Sequence, residues 1–272
     1  ITGNTVSFCA HDQDNHPDTF DGVGTKAIGL EFSEGCTVVG NTLSNIGQVL
    51  NEAGTPLVFA NDVYALGVYG RNCEQIKVAE NQIRVMQTVN NGIAAAVVFH
   101  AGSAGVTSIS EYITVNDNLI YMDDANLRDR IGIGFFASDN AQTVGIRSSQ
   151  VAGNQITGNS NPYINRPIVF TTGNFSTAVN AQYGGNITGI TVQNNTLENF
   201  QSQGIFFDQS AAGNLVRANI LSGIVIEGNT LVSKLTASLQ SGIMYFVRGS
   251  VNFPAIVNGV QVLRNTIPRV FD

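Results

Sequence analysis

The sequence predicts an all-β protein, a right-handed parallel β-helix of about seven coils with projecting loops. Three observations predict this fold: a short phrase that recurs eight times, a second strand-like segment between successive copies, and period-two alternation of apolar residues in both. Helices are disfavoured because Gly, Asn and β-branched residues fill the same windows. Equivalent strands one repeat apart must run parallel, about 4.8 Å from their neighbours.

The recurring phrase has the form [VI]-x-x-N-x-[VIL] and returns at intervals of 34 to 41 residues. Such a period is typical of one supersecondary unit stacked on copies of itself. We expect the asparagines to lie at a turn, where Asn tolerates left-handed backbone, and to form a hydrogen-bonded ladder along the rod. They are Asn4, Asn41, Asn81, Asn118, Asn154, Asn195, Asn229 and Asn265. The residues three positions earlier are expected to form one internal column: Val38, Val78, Val115, Val151, Val192, Ile226 and Val262.

The second segment begins with an aliphatic residue in each copy, and we expect its first and third positions to point inward. The second position then points outward, at Gly29, Gly67, Ala94, Gly134, Val169, Phe206 and Met244. This predicts a nearly bare outer floor in the first four coils. The last three coils carry an apolar patch of Val169, Phe206, Met244 and Phe246, which a partner subunit or a folded-over loop is expected to cover.

Composition indicates one elongated domain over residues 1–272, which we expect to be an excised part of a longer chain. The formal net charge is −7 and no stretch is rich in Lys or Arg, which argues against a nucleic-acid partner. No apolar run approaches the length of a membrane span. Cys9, Cys36 and Cys73 lack metal or redox spacing, so we expect buried free thiols.

The combined phrase G-I-x-[FLV]…V-x-x-N-x-I resembles the coil signature of the pectate-lyase-like right-handed β-helix superfamily, most of all bacteriophage tailspikes. The resemblance spans roughly residues 1–267. It implies binding and cleavage of a bacterial surface polysaccharide, capsule or O-antigen, by a hydrolase or a lyase. It also implies a homotrimer at an extracellular or virion surface. No motif fixes one enzyme family, so no catalytic residue is carried over. The alternatives are a non-catalytic receptor-binding or structural β-helix of a tail fibre or adhesin, and a secreted pectate-lyase-type enzyme.

The first predicted site is a groove along the glycine floor. Tyr69 and Phe136 are the candidate platforms for stacking on a sugar face. The adjoining segment 122–132 offers Asp124 or Asp129 as acid or base, and Arg130 to hold an anionic sugar bidentately. A solvated loop with local ion pairs is the alternative interpretation.

Two further candidates lie elsewhere. Asp208 and Arg248, one coil apart, could act as a base and a charge clamp, or form an ordinary cross-strand ion pair. The segment 9–21 places two histidines beside a D-x-D motif, but it lacks the spacing and glycine of a calcium loop. A metal site, a carboxylate site on a groove wall and a polar turn remain open for it. We expect no cofactor, with Ca²⁺ as the one candidate.

Overall fold

The computed structural model describes twelve stretches of the chain. They are residues 1–7, 24–46, 64–86, 93–102, 107–122, 129–137, 143–158, 166–172, 185–200, 202–209, 217–233 and 241–268. The segment 9–21 and Asp124 lie outside them, so the predictions on those residues stay predictions. No helix within these stretches is long and apolar enough to cross a membrane.

The described chain consists of strands in three sheets, numbered here in chain order. Sheet A contains β3 (Thr37–Val39), β6 (Lys77–Ala79), β9 (Thr107–Glu111), β10 (Thr114–Asn116), β13 (Thr143–Arg147), β14 (Gln150–Ala152), β17 (Asn186–Thr188), β18 (Thr191–Gln193), β21 (Asn219–Glu227) and β24 (Ala255–Leu263). Sheet B contains β1 (Thr5–Ser7), β4 (Thr42–Ile46), β7 (Gln82–Met86), β11 (Leu119–Met122), β15 (Gln155–Gly158), β19 (Thr196–Glu198) and β22 (Thr230–Val232). Sheet C contains β2 (Gly24–Glu31), β5 (Tyr64–Arg71), β8 (Ile93–Ala101), β12 (Asp129–Ala137), β16 (Arg166–Thr171), β20 (Gln203–Gln209) and β23 (Ser241–Val247).

These strands stack as a parallel β-helix, which confirms the predicted fold class. The described strands of successive coils pair in parallel, as in β6 with β10 and β12 with β16. The predicted internal column also forms, because each of its members from Val38 to Val262 pairs in register with the next. Its first six members are fully buried, whereas Val262 in the last strand is 47% exposed.

The asparagine ladder is confirmed along its whole length. From Asn4 to Asn229, each side-chain Nδ2 donates to the Oδ1 of the next ladder asparagine at 2.9–3.1 Å. The backbone N–H of each asparagine donates to the same Oδ1 at 2.9–3.0 Å. The six asparagines from Asn41 to Asn229 are at most 1% exposed. The ladder therefore satisfies buried polar groups at the corner between sheets A and B.

The left-handed residue at this corner is the one before the asparagine, which corrects the prediction that the asparagine itself adopts that conformation. Positive φ values of 51° to 67° occur at Gly3, Gly40, Glu80, Asp117, Gly153, Asn194, Gly228 and Arg264. Glycine fits four of these positions because it adopts this region without steric cost. At Gly153 there is a second reason, since a Cβ there would collide with Oδ1 of Asp117 in the preceding coil.

Gly153→Ala is therefore expected to destabilise the protein more than Gly40→Ala. Both glycines occupy the same repeat position with φ of +67° and +66°, so both substitutions cost about 1–2 kcal/mol of backbone strain. At Gly40 nothing lies within 4 Å of the added Cβ, whereas at Gly153 the Asp117 side chain must move. Urea unfolding of the two variants measures the difference, and equal losses would contradict the collision.

Sheet C contributes a column of stacked aromatic rings to the core. Phe99, Phe135, Phe170 and Phe207 stack in successive coils with ring centroids 4.7–5.6 Å apart. The residues two positions before these rings belong to a longer aliphatic ladder with equivalent residues of the other coils. The ladder contains Ile28, Val68, Val97, Ile133, Ile168, Ile205 and Ile243. Stacked aromatic rings add a favourable interaction to the burial of their large apolar area.

The register of the second and third coils of sheet C differs from the prediction. Val68, not Leu66, pairs with Ile28, and Val97, not Ile93, pairs with Val68. Gly67, just before Val68, faces the core, because a Cβ there would lie 3.2 Å from the Ile83 side chain. The predicted floor was therefore wrong at Gly67 and Ala94, since Ala94 also belongs to the buried core.

Candidate functional site

The outer face of sheet C carries an apolar cluster instead of a bare floor. It consists of Leu66, Tyr69, Ala95, Val98, Ile131, Phe136, Val169 and Phe206, with Met244 packed against it. At Gly134 the predicted gap is filled, because the Phe136 ring lies where a Cβ of Gly134 would point. Val169 and Phe206 are 1% and 7% exposed within the single chain, whereas Phe246 is 45% exposed. A trimer interface is thus not required to bury Val169 and Phe206.

The predicted platforms and the predicted arginine are buried. Tyr69, Phe136 and Arg130 are 8%, 5% and 5% exposed. The ammonium group of Lys26 lies 4.3 Å from the centroid of the Tyr69 ring, so that face is already occupied by a cation. Arg130 and Asp129 begin β12, opposite Ala94 and Ile93. A sugar cannot stack on Tyr69 or Phe136 without displacing the groups that cover them.

Asp208 and Arg248 lie as the sequence predicted, one coil apart and offset by two positions. Asp208 pairs with Phe246, and the backbone N–H of Arg248 donates to the carbonyl of Gln209 at 3.0 Å. Asp208 is half-buried and Arg248 is exposed. In register, Asp208 is flanked by Thr171 on the preceding coil and by Phe246 on the next.

The structure brings together three carboxylates that sequence reasoning missed. Glu34, Glu74 and Glu111 pair in register on successive coils, and Glu111 continues into Arg147. We call Glu34, Glu74 and Glu111 the glutamate row. The row lies at a bend of the chain, because each glutamate precedes a residue with positive φ: Gly35, Gln75 and Tyr112. Glu34 is exposed and the other two are half-buried.

Two exposed aromatic residues flank the glutamate row. Phe32 and Tyr112 are 65% and 52% exposed, and both have positive φ, +49° and +54°. Bulky residues rarely adopt this conformation, which costs about 1–2 kcal/mol for each. The guanidinium of Arg71 lies 6.0 Å from the Phe32 ring. Strained exposed aromatic rings beside carboxylates form the kind of surface on which sugars stack and hydrogen-bond.

A simple alignment could have found the row. Each of its glutamates lies seven residues before a ladder asparagine, at Asn41, Asn81 and Asn118. The next four repeats have Arg147, Thr188, Ser222 and Asn258 at that position. The sequence reasoning compared apolar positions between coils and did not compare the polar ones.

A second site is a depression on the outer face of sheet B. It has a volume of about 280 Å³ and is lined by Gln82, Ile83, Arg84, Leu119 and Tyr121. Gln82 pairs with Leu119 and Arg84 with Tyr121, so the site is a two-by-two patch on β7 and β11. The Arg84 guanidinium lies 5.7 Å from the Tyr121 ring, and Leu119 is 47% exposed. We call this site the sheet B depression.

The two sites lie on the same two coils. The short strands β6 and β10 of sheet A connect the glutamate row to the sheet B depression, from Glu74 to Gln82 and from Glu111 to Leu119. One extended ligand crossing the outer face of sheet A could therefore contact both sites. A compact small molecule could fill only one of them.

The described residues give little support for a metal site or for a reactive thiol. No group of three or more His, Cys, Asp or Glu side chains there is placed to hold a metal ion. Cys73 is 1% exposed, and burial raises the pKa of its thiol, which keeps it protonated and unreactive. Both thiols are free, as predicted, but Cys36 is only half-buried, whereas the prediction had it buried.

Comparison of the chain with protein-family models, with curated proteins and with solved structures found no match.

Proposed function

We propose that this β-helix binds and cleaves a bacterial surface polysaccharide. The observation that carries the proposal is the sheet B depression, where an aromatic ring, a guanidinium, an amide and an exposed aliphatic side chain converge on one concave site. Small-ligand sites usually combine an apolar floor with a few polar groups. The aromatic and aliphatic surfaces contact the C–H face of a sugar, and the polar groups hydrogen-bond its hydroxyls.

The glutamate row supplies the carboxylates that glycoside hydrolysis needs. Retaining enzymes hold two carboxyl groups about 5–5.5 Å apart, and inverting enzymes about 6.5–9.5 Å apart. Neighbouring strands of a sheet are about 4.8 Å apart, so residues in register on adjacent coils can adopt the shorter separation. Glu34 with Glu74, and Glu74 with Glu111, are two such pairs. Glu34 and Glu111, two coils apart, have a backbone separation close to the longer range.

The glutamate row is expected to destabilise the fold, and a functional role would explain why it is present. Like charges directly opposite each other on neighbouring strands are destabilising. Three in succession, beside two strained aromatic residues, are difficult to explain by folding stability alone. We therefore favour a hydrolase over a lyase, because carboxylates in register on adjacent coils match the pair that glycoside hydrolysis uses.

The deciding experiment measures binding and product release on the same samples. A panel of purified capsular and O-antigen polysaccharides is incubated with the protein, and new reducing ends are quantified. We expect release from at least one member of the panel, without the absorbance of unsaturated uronates. That absorbance would instead identify a lyase.

Binding without product would support the second candidate function, a non-catalytic receptor-binding β-helix of a tail fibre or adhesin. The observation that favours it is that no described carboxylate lines the sheet B depression, so this site can bind a glycan without taking part in its cleavage. A homotrimer and an extracellular or virion location remain part of the proposal. Exposed Tyr245 and Phe246 on β23 are available for a subunit contact. Light scattering of the protein tests the oligomeric state.

A further inference from the structure

We propose that the sheet B depression selects a uronic-acid residue, whose carboxylate is held by Arg84. This inference rests on the proposed polysaccharide binding and names the sugar class that the site takes. An arginine presents a planar fork of N–H donors that matches a carboxylate bidentately. The sugar ring then lies against Tyr121 and Leu119, with Gln82 in reach of a hydroxyl.

Arg84 is suited to this role because its guanidinium has no charged partner among the described residues. In register it is flanked by Ser44 and Tyr121, neither of which is acidic. Its one described contact is the Tyr121 ring at 5.7 Å, which orients the guanidinium but leaves its N–H donors available. The ion pairs of Lys26 with Glu31 and of Arg264 with Glu227 lie on other surfaces.

The size of the depression limits the occupant to about one residue of a glycan. Its volume of about 280 Å³ lies just below the usual range of roughly 300–1,000 Å³ for drug-sized ligands. Leu119 and Tyr121 lie on the same strand, two positions apart, so both project from the same face of sheet B. A flat sugar ring can therefore contact both side chains while its carboxylate reaches across to β7.

The surrounding charge determines how such a ligand must be recognised. The chain has a formal net charge of −7, and the exposed acids Glu80 and Asp117 lie two residues before Gln82 and Leu119. A small anion without a ring gains only the Arg84 contact and is repelled by these acids. Affinity therefore requires the ring and the carboxylate together, which predicts that free acetate does not bind.

The test uses three probes: trigalacturonate, its methyl ester, which keeps the rings and removes the charge, and acetate. Calorimetric titration of the wild-type protein is expected to detect trigalacturonate and to show at least tenfold weaker binding of the ester. Arg84→Gln should lose that tenfold preference, and Tyr121→Ala should weaken both saccharides. Arg264→Gln removes the same charge from a distant coil and should change nothing. Melting temperatures check that each substitution leaves the fold intact.

Several results would overturn the inference. They are equal binding of the acid and the ester, binding of acetate as tight as that of trigalacturonate, unchanged binding by Arg84→Gln, or no binding of trigalacturonate. The proposed cleavage is judged separately by reducing-end release from the polysaccharide panel. Cleavage without trigalacturonate binding leaves the function standing and removes the uronate site. Trigalacturonate binding without any cleavage supports the uronate site and contradicts the proposed cleavage.

Discussion

Asn154→Leu is expected to lower the free energy of unfolding strongly, because it removes the ladder from the middle of the rod. Asn154 accepts hydrogen bonds from the backbone N–H and the Nδ2 of Asn118, and its own Nδ2 donates to Val115 O and Asn195 Oδ1. Leu can make none of these contacts. Each buried polar group left without a partner costs roughly 1–3 kcal/mol, so the total should reach several kcal/mol.

The matched control is Gln155→Leu, one residue along the chain. Gln155 is exposed on the outer face of sheet B, and polar-to-apolar changes at such positions usually stay within about 0.5 kcal/mol. Asn4→Leu gives a graded test, since Asn4 is exposed and pairs with one asparagine of the described ladder, Asn41. Urea unfolding should rank the losses as Asn154, then Asn4, then Gln155. Equal stability of Asn154→Leu and Gln155→Leu would show that the ladder does not hold the coils together.

The ladder and the internal column could be predicted because they repeat at a fixed offset from one another. Val115 precedes Asn118 by three residues, as Val78 precedes Asn81, so one alignment places both in every coil. What the sequence could not assign was which corner residue takes the left-handed conformation. That position holds Gly, Glu, Asp, Asn and Arg in different coils, so composition does not reveal it.

The register of sheet C was wrong because its strands offer several aliphatic residues at the correct spacing. In β5, both Leu66 and Val68 fit an inward position, and in β8 so does every second residue of the run Ile93–Phe99. The number of residues between the ladder asparagine and these strands differs from coil to coil, so the leading aliphatic is a poor reference point. Counting from the ladder gives the correct pair in the first two coils, since Ile28 and Val68 both lie thirteen residues before their ladder asparagine.

The incorrect register of sheet C also misplaced the residues of the predicted floor and platforms. Shifting β5 by two residues moves Tyr69 into the column of Gly29 and puts Arg71 opposite Glu31. Shifting β8 by four puts His100 opposite Phe136. The outer face of sheet C thereby becomes a buried apolar cluster, and the exposed chemistry lies on sheets A and B. Burial of an outer face within the same chain depends on long-range packing, which strand periodicity cannot report.

Glu74→Gln is expected to abolish cleavage of the polysaccharide that the panel identifies. Glu74 is the central member of the glutamate row, so it belongs to both one-coil carboxylate pairs. Gln keeps the size and hydrogen-bonding shape of the side chain but can neither act as a nucleophile nor exchange a proton. Loss of an acid or base of this kind lowers the rate by about 10²–10⁴-fold. Initial rates of reducing-end release at saturating substrate measure the effect.

The comparison variants decide where the chemistry lies. Glu198→Gln removes a carboxylate from the outer face of sheet B, in the column of Tyr121 and two coils away, and should keep full activity. Glu34→Gln and Glu111→Gln show which neighbour completes the pair, because only the true partner of Glu74 should be equally inactive. Asp129→Asn and Asp208→Asn test the carboxylates chosen from the sequence. If either of those two variants loses activity while Glu74→Gln keeps it, then cleavage takes place on sheet C and the glutamate row is a solvated edge of the rod.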